Sequence, residues 1–316
     1  MFKYFVKENF ALIIITVVSS FVLFIFSFIT VTNYMTNMEK EYIEGCNEKS
    51  LEEVENGLSY GKTLDNYYGL DDVLARATNI VGEEKIILVV DNEGKVLGTG
   101  YPKEKFPVDV TDFNKVEQEI HDANGNVAGK MVTYFSKESI TNAAKPSIVM
   151  AALGCSLILI ISLVAFAFAL VKSTWSQKKS LSIIIIGIIL QGILCTALYS
   201  NIFRESSRKN VYGIASYLGT AFESVQEKGI NVDDIEDVNE YLGKESEKYD
   251  FIQSITLTQE KLQKSDSEYI VGIKDSSVKV RFDISDWYIT KKVIGMMLSF
   301  FATVILSVIL NISSIL

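Results

Sequence analysis

Residues 146–171 and residues 180–203 contain no charged side chain, and only the eight residues KSTWSQKK separate them. Each run exceeds the ~20 apolar residues that cross a hydrocarbon core about 30 Å thick. A loop that short holds no domain, so the two runs predict a transmembrane hairpin. Lys172, Lys178 and Lys179 make the loop positive with no opposing acid, which marks it as cytoplasmic. Buried helices of a soluble protein carry occasional charges and seldom run so long. One polar block precedes this hairpin and one follows it.

Two further charge-free runs, residues 9–38 and 293–316, bring the expected crossings to four. The first resembles a signal peptide, because Lys3 and Lys7 precede it. Its apolar core over residues 10–31 is longer than a cleavable segment and no small-residue cleavage site follows, so a retained anchor is expected. The boundaries read as a cytoplasmic tail (1–9), a first crossing (10–33), a polar domain (34–146), a second crossing (147–171), a cytoplasmic loop (172–179), a third crossing (180–203), a second polar domain (204–290) and a fourth crossing (291–316).

Charge sets the expected orientation. Residues 34–146 carry 21 acidic and 12 basic side chains, and residues 204–292 carry 17 and 13. The tail and the loop carry the remaining five basic residues against Glu8 alone. Both polar blocks are therefore placed outside a cell membrane and both termini inside. Lys291 and Lys292 oppose this assignment. The acidic blocks argue against nucleic acid as a partner, which leaves the lipid bilayer, a small ligand, a second copy of the chain or a signalling protein.

Within the first block, residues 34–58 predict a long polar helix. Gly69 and Asp71 announce a second helix, with Leu70, Val73, Leu74 and Ala77 on one face. Strands are expected at 85–90, 95–101, 115–122 and 127–135, with turns at Asp91-Asn92-Glu93-Gly94 and Asn124-Gly125. The second block repeats the plan in shorter form. A helix over 204–228 carries Val211, Ile214, Ala215, Leu218 and Phe222, and a second helix starts near Asn231 or Asp233. Strands follow at 251–258, 269–274 and 277–284. The fold class is a four-helix membrane protein bearing two α+β domains built on antiparallel sheets.

The long juxtamembrane helix, the GKTLDNYYG segment at 61–69, the VDNEGKV hairpin at 90–96 and a last strand feeding a membrane helix resemble the Cache sensor domains of bacterial receptors. These are PAS-like extracytoplasmic folds held between membrane helices. The resemblance covers residues 10–146 well and 180–316 less well. It implies a ligand pocket on the outer face of the sheet, for which Tyr67, Tyr68, Arg76, Asp91, Tyr101 and Tyr134 are the candidates. Tyr249, Tyr269 and Arg281 are weaker candidates in the second domain. The tandem arrangement also resembles the N-terminal part of larger bacterial membrane proteins, in which an output unit follows.

Catalytic and metal chemistry find little support. His121 is the only histidine, and phosphate-loop and HExxH motifs are absent. The pairs Asp71-Asp72, Asp233-Asp234 and Glu236-Asp237 lack the alternating ligand spacing of a calcium loop and read as solvated faces. No cofactor and no metal are expected. Cys46 is the one cysteine outside the membrane runs and reads as a free thiol or a cross-dimer link. In the membrane, Gly154, Gly187, Gly192, Ser156 and Ser162 offer small packing surfaces, and Gln191 is central and polar. With no charged residue in any crossing apart from Lys291 and Lys292 at the very start of the fourth, ion-coupled transport is unsupported. The expectation is a non-enzymatic small-molecule sensor that passes ligand state through its membrane helices to a partner or a C-terminal output domain. The alternatives are an envelope scaffold or assembly protein, and the regulatory N-terminal module of a transporter.

Overall fold

The computed structural model describes residues 2–82, 84–100, 110–171, 177–232, 235–259, 268–273 and 278–313. The chain forms two compact units, one from Met1–Met35, Thr141–Arg204 and Ile289–Leu316, the other from Thr36–Ile140 and Glu205–Tyr288. The helices are α1 (Phe2–Ser59), α2 (Leu70–Val81), α3 (Lys137–Val171), α4 (Gln177–Glu227), α5 (Val238–Glu247) and α6 (Asp286–Ser313). Of these, α1, α3, α4 and α6 are long and apolar enough to cross a membrane. By length and composition this is a multi-pass membrane protein.

These four helices outrun the apolar segments that mark them in the sequence. The second crossing was expected from residue 147, yet α3 starts at Lys137, where the Ser136 hydroxyl accepts the amides of Glu138 and Ser139 at 3.1 and 3.3 Å. That is a serine N-cap, and Pro146 then lies inside the helix. Likewise α6 begins at Asp286, with Ser285 Oγ accepting the amide of Tyr288 at 3.2 Å. The expected third crossing and the helix after it fuse into the single α4.

In the first unit, α3 and α4 approach through small residues. A Cβ at Gly154 would collide with Leu194, and one at Gly187 with Ser162, the close-packing device expected between membrane helices. Gln191 is buried and donates through Nε2 to the Cys155 carbonyl at 3.0 Å. Ser156 instead faces outward, and Gly192 makes ordinary contact with Val304. Ring pairs Tyr34–Phe203 (5.9 Å) and Tyr199–Phe300 (6.3 Å) tie α1 and α6 to α4.

In the second unit the strands are β1 (Ile86–Asp91), β2 (Val96–Thr99), β3 (Phe113–His121), β4 (Val127–Ser136), β5 (Ile252–Thr258), β6 (Glu268–Gly272) and β7 (Lys279–Ile284). They form an antiparallel four-stranded sheet in the order β2-β1-β4-β3 and an antiparallel three-stranded sheet in the order β5-β7-β6. The long pairing of β1 with β4, from Ile86 opposite Tyr134 to Asp91 opposite Gly129, places both hairpin turns at one end of the sheet.

The C-terminal part of α1 serves both sheets. On one face Asn47, fully buried, donates through Nδ2 to Thr133 Oγ1 of β4 at 2.9 Å and to Gln118 Oε1 of β3 at 3.0 Å. On another, Tyr42, Cys46 and Lys49 fall at i, i+4 and i+7 and meet the chain's second polar stretch. There Tyr42 stacks on Phe251 at 6.3 Å and the Lys49 ammonium donates to the Tyr217 hydroxyl. Gly45 leaves room for this meeting, since a Cβ there would lie 2.7 Å from the Lys248 carbonyl. The two polar stretches thus share one core. Replacing Asn47 by alanine should lower stability by about 1–3 kcal/mol, because Gln118 and Thr133 lose a buried partner; thermal melts of the intact protein check this.

Candidate functional site

The two hairpin turns of the four-stranded sheet are built alike. Asp91 Oδ1 accepts the amides of Glu93 (2.9 Å) and Lys95 (2.8 Å), and Asp122 Oδ1 accepts those of Asn124 (2.8 Å) and Asn126 (2.9 Å). In each, the glycine three residues on, Gly94 or Gly125, takes positive φ. The Asn124-Gly125 turn is therefore not the two-residue loop its sequence suggests. It is a three-residue loop closed by Asp122 and Asn126, with the glycine in the left-handed position that such loops use. These amides hold the Asp122 carboxyl below the usual carboxylate range.

Against the turns lies the segment that follows α1. The helix stops at Gly61, which has φ +85° and returns its amide to the Leu58 carbonyl at 3.0 Å. Leu64 then settles over Gly129 of β4, where a Cβ would stand 2.8 Å from the leucine side chain. The result is an open groove of about 380 Å³, within the size range of small-molecule sites. Leu58, Lys62, Thr63 and Asp65 line it together with Asp91, Leu97, Asp122 and Asn124. The lining thus carries three carboxylates and one ammonium, whose Nζ lies 4.5 Å over the Tyr67 ring, so it is net negative.

Of the five residues singled out in the sequence that are described, Asp91 alone lines this groove. Tyr67 turns back onto α1, where its ring covers Gly57 and its hydroxyl donates to the Glu53 carbonyl at 3.1 Å. Arg76 pairs with the Glu53 carboxylate at 2.6 Å, and Tyr68 is 94% exposed. Tyr134 is half-buried in β4, opposite Ile86 and Lys115. Tyr101 and the Asp233-Asp234 pair lie outside the described residues. Of the second-domain candidates, Arg281 is tied up with Glu268 (2.8 Å) and Asp283 (2.9 Å), Tyr269 stacks edge-on against Tyr212, and Tyr249 is buried. The groove's signal was present in the two Asp-x-x-Gly turns and the GKTLD segment. Their contribution is a turn carboxylate and its neighbours, which a search for aromatic pocket residues passes over.

A second cluster lies at the junction of the two polar stretches, where no local sequence signal marks it. Cys46, 2% exposed, sits between Tyr42 and Tyr249, and its thiol is a free one. Beside it Lys85 and Glu39 form an ion pair of 2.7 Å whose side chains are 7% and 16% exposed. Lys85 also donates to the Val81 carbonyl at 2.7 Å and lies 5.0 Å above the Tyr42 ring. Tyr42 donates to the Ile80 carbonyl at 3.1 Å, and Tyr288 donates to Glu41. Burial raises the hydroxyls of Tyr42, Tyr249 and Tyr288 above the ordinary range and pushes the Cys46 thiol up to about 12.

Such groups stay protonated near neutral pH, so the cluster binds helices together rather than moving protons. At pH 8 the thiolate fraction of Cys46 is on the order of a thousandfold below that of a free thiol. Iodoacetamide should therefore leave Cys46 unmodified in the folded protein and label it after denaturation, as mass spectrometry of the alkylated peptide will read. Among the described residues no group of three His, Cys, Asp or Glu side chains is placed to hold a metal ion. No protein family, no curated protein and no solved structure matches this chain.

Proposed function

We propose that the protein is a membrane-anchored, non-enzymatic sensor of a small extracytoplasmic molecule, a signal-input module of the Cache or PAS-like kind. The observation that carries this reading is that Leu58, in the last turn of α1, lines the polar groove, while the same unbroken helix contains the first apolar segment. Ligand binding becomes a signal only if the ligand binds two arrangements of that helix with different affinity. The acidic lining selects a small molecule with an amino or other cationic group, and the output belongs to a partner or a further domain. In this reading both polar stretches lie outside the membrane and the α3–α4 connection lies inside.

The test is a thermal-shift screen of the full chain in detergent micelles against amino acids, amines, carboxylates and nucleosides. A ligand at about 100 times its dissociation constant stabilises the folded state by roughly 2.7 kcal/mol. The shift should vanish in Asp91→Asn, which keeps the turn-forming Oδ1, and persist in Lys62→Met, which removes the one positive charge of the lining. A panel without a hit, or a hit indifferent to Asp91→Asn, would overturn the sensor reading. The scaffold reading would then lead, with the exposed Tyr60 (87%) and Tyr68 (94%) as its first contact candidates.

A further inference from the structure

In the membrane unit, α4 and α6 leave between them a groove of about 650 Å³. Its walls are hydrocarbon: Ile189, Ile193 and Ala197 on α4, and Met297, Phe301 and Ile305 on α6. The two hydroxyls in it make no demand on an occupant. Thr196 Oγ1 donates to the Gly192 carbonyl and Ser200 Oγ to the Ala197 carbonyl, each at 2.9 Å. Along α4 the groove runs from Ser200 to Ile185, roughly 22 Å at ~1.5 Å per residue. That exceeds the depth of one leaflet of a core about 30 Å thick.

One end of this groove is positively charged. Arg204 stands one helical turn beyond Ser200 on the same face of α4, and Lys291 and Lys292 immediately precede Val293, the first lining residue of α6. Arg204 and Lys291 are exposed and make no ion pair among the described residues. Throughout Thr141–Arg204 and Ile289–Leu316 the sequence has no acid at all. In the orientation proposed above, a basic pair at this end is what the orientation rule disfavours.

We propose that the α4–α6 groove holds one acyl chain of an anionic phospholipid, whose headgroup phosphate is bound by Arg204 and Lys291. The hydrocarbon walls with self-satisfied hydroxyls select the chain, and the basic side chains at the rim select the charge. Lys291, which runs against the orientation rule, is then kept at that end by the headgroup it binds.

Native mass spectrometry of the full chain tests this, after exchange into detergent with phosphatidylglycerol or phosphatidylcholine of identical acyl chains. Phosphatidylglycerol should be retained preferentially. Arg204→Gln with Lys291→Gln should remove that preference, at roughly fivefold per basic residue, while leaving the melting temperature unchanged because both side chains are exposed. Ala197→Phe, which fills the groove, should lower retention of both lipids, and glycerol 3-phosphate without acyl chains should fail to compete. Equal retention of the two lipids would overturn the proposal. So would a preference that survives the charge variants, or competition by the bare headgroup. If Ala197→Phe changed the oligomeric state and not lipid retention, the groove would be a protein interface and the proposal would fall.

Discussion

Replacing Phe251 by alanine is expected to lower the stability of the polar unit by about 3–5 kcal/mol, the range for removing a fully buried aromatic. Phe251 is 2% exposed and its ring meets Tyr249 at 5.8 Å, Tyr288 at 6.2 Å and Tyr42 at 6.3 Å. Those neighbours come from the segment after α5, from α6 and from α1, so the cavity opens where three parts of the chain converge. Thermal unfolding followed by near-ultraviolet circular dichroism should drop by roughly 10 °C, at about 2–4 °C per kcal/mol for a unit of this size. A loss below about 1 kcal/mol would mean that the two polar stretches barely depend on each other.

The second large effect is expected at Lys85. Lys85→Met leaves the Glu39 carboxylate without its partner in a site where both side chains are largely withdrawn from water. Breaking such a pair from one side costs about 3–5 kcal/mol, whereas replacing both members by apolar residues is often near neutral. Glu39→Leu combined with Lys85→Met should therefore recover most of the loss in the same melts. The recovery stays incomplete, because the Val81 carbonyl at the end of α2 loses the ammonium that bonds it. A single variant as stable as the double would show that Glu39 is solvated and the pair contributes little.

The α-helices and strands were legible wherever local periodicity decides them. Leu70, Val73, Leu74 and Ala77 are the buried face of α2, and Val211, Ile214, Ala215, Leu218 and Phe222 are buried along α4. The ends of the membrane helices were not. A change from apolar to polar composition does not stop a helix that lacks a breaker, and Pro146 is tolerated inside α3. The groove was half legible. Its turn residues and the GKTLD segment stand out in the sequence, but the tyrosines beside them serve as packing pieces, as Tyr67 does against Gly57. The buried junction around Cys46 was invisible. It joins residues some two hundred positions apart, such as Cys46 and Tyr249, and no short window holds both.

The polar unit is interleaved: its first stretch ends at Ile140 and its second begins only at Glu205, with the α3–α4 connection made in between. At about 5–20 residues per second of synthesis, the partner surface for Tyr42 and Cys46 is born roughly 10–30 s after the strands of the first stretch. During that interval the half-built unit has an aromatic, thiol-bearing face whose partners have not yet been made. The same interleaving implies that two chains divided between α3 and α4, each crossing twice, would find each other through that face. Co-expressed halves should rebuild the unit, and Gly45→Val, which closes the gap left for Lys248, should stop them from doing so.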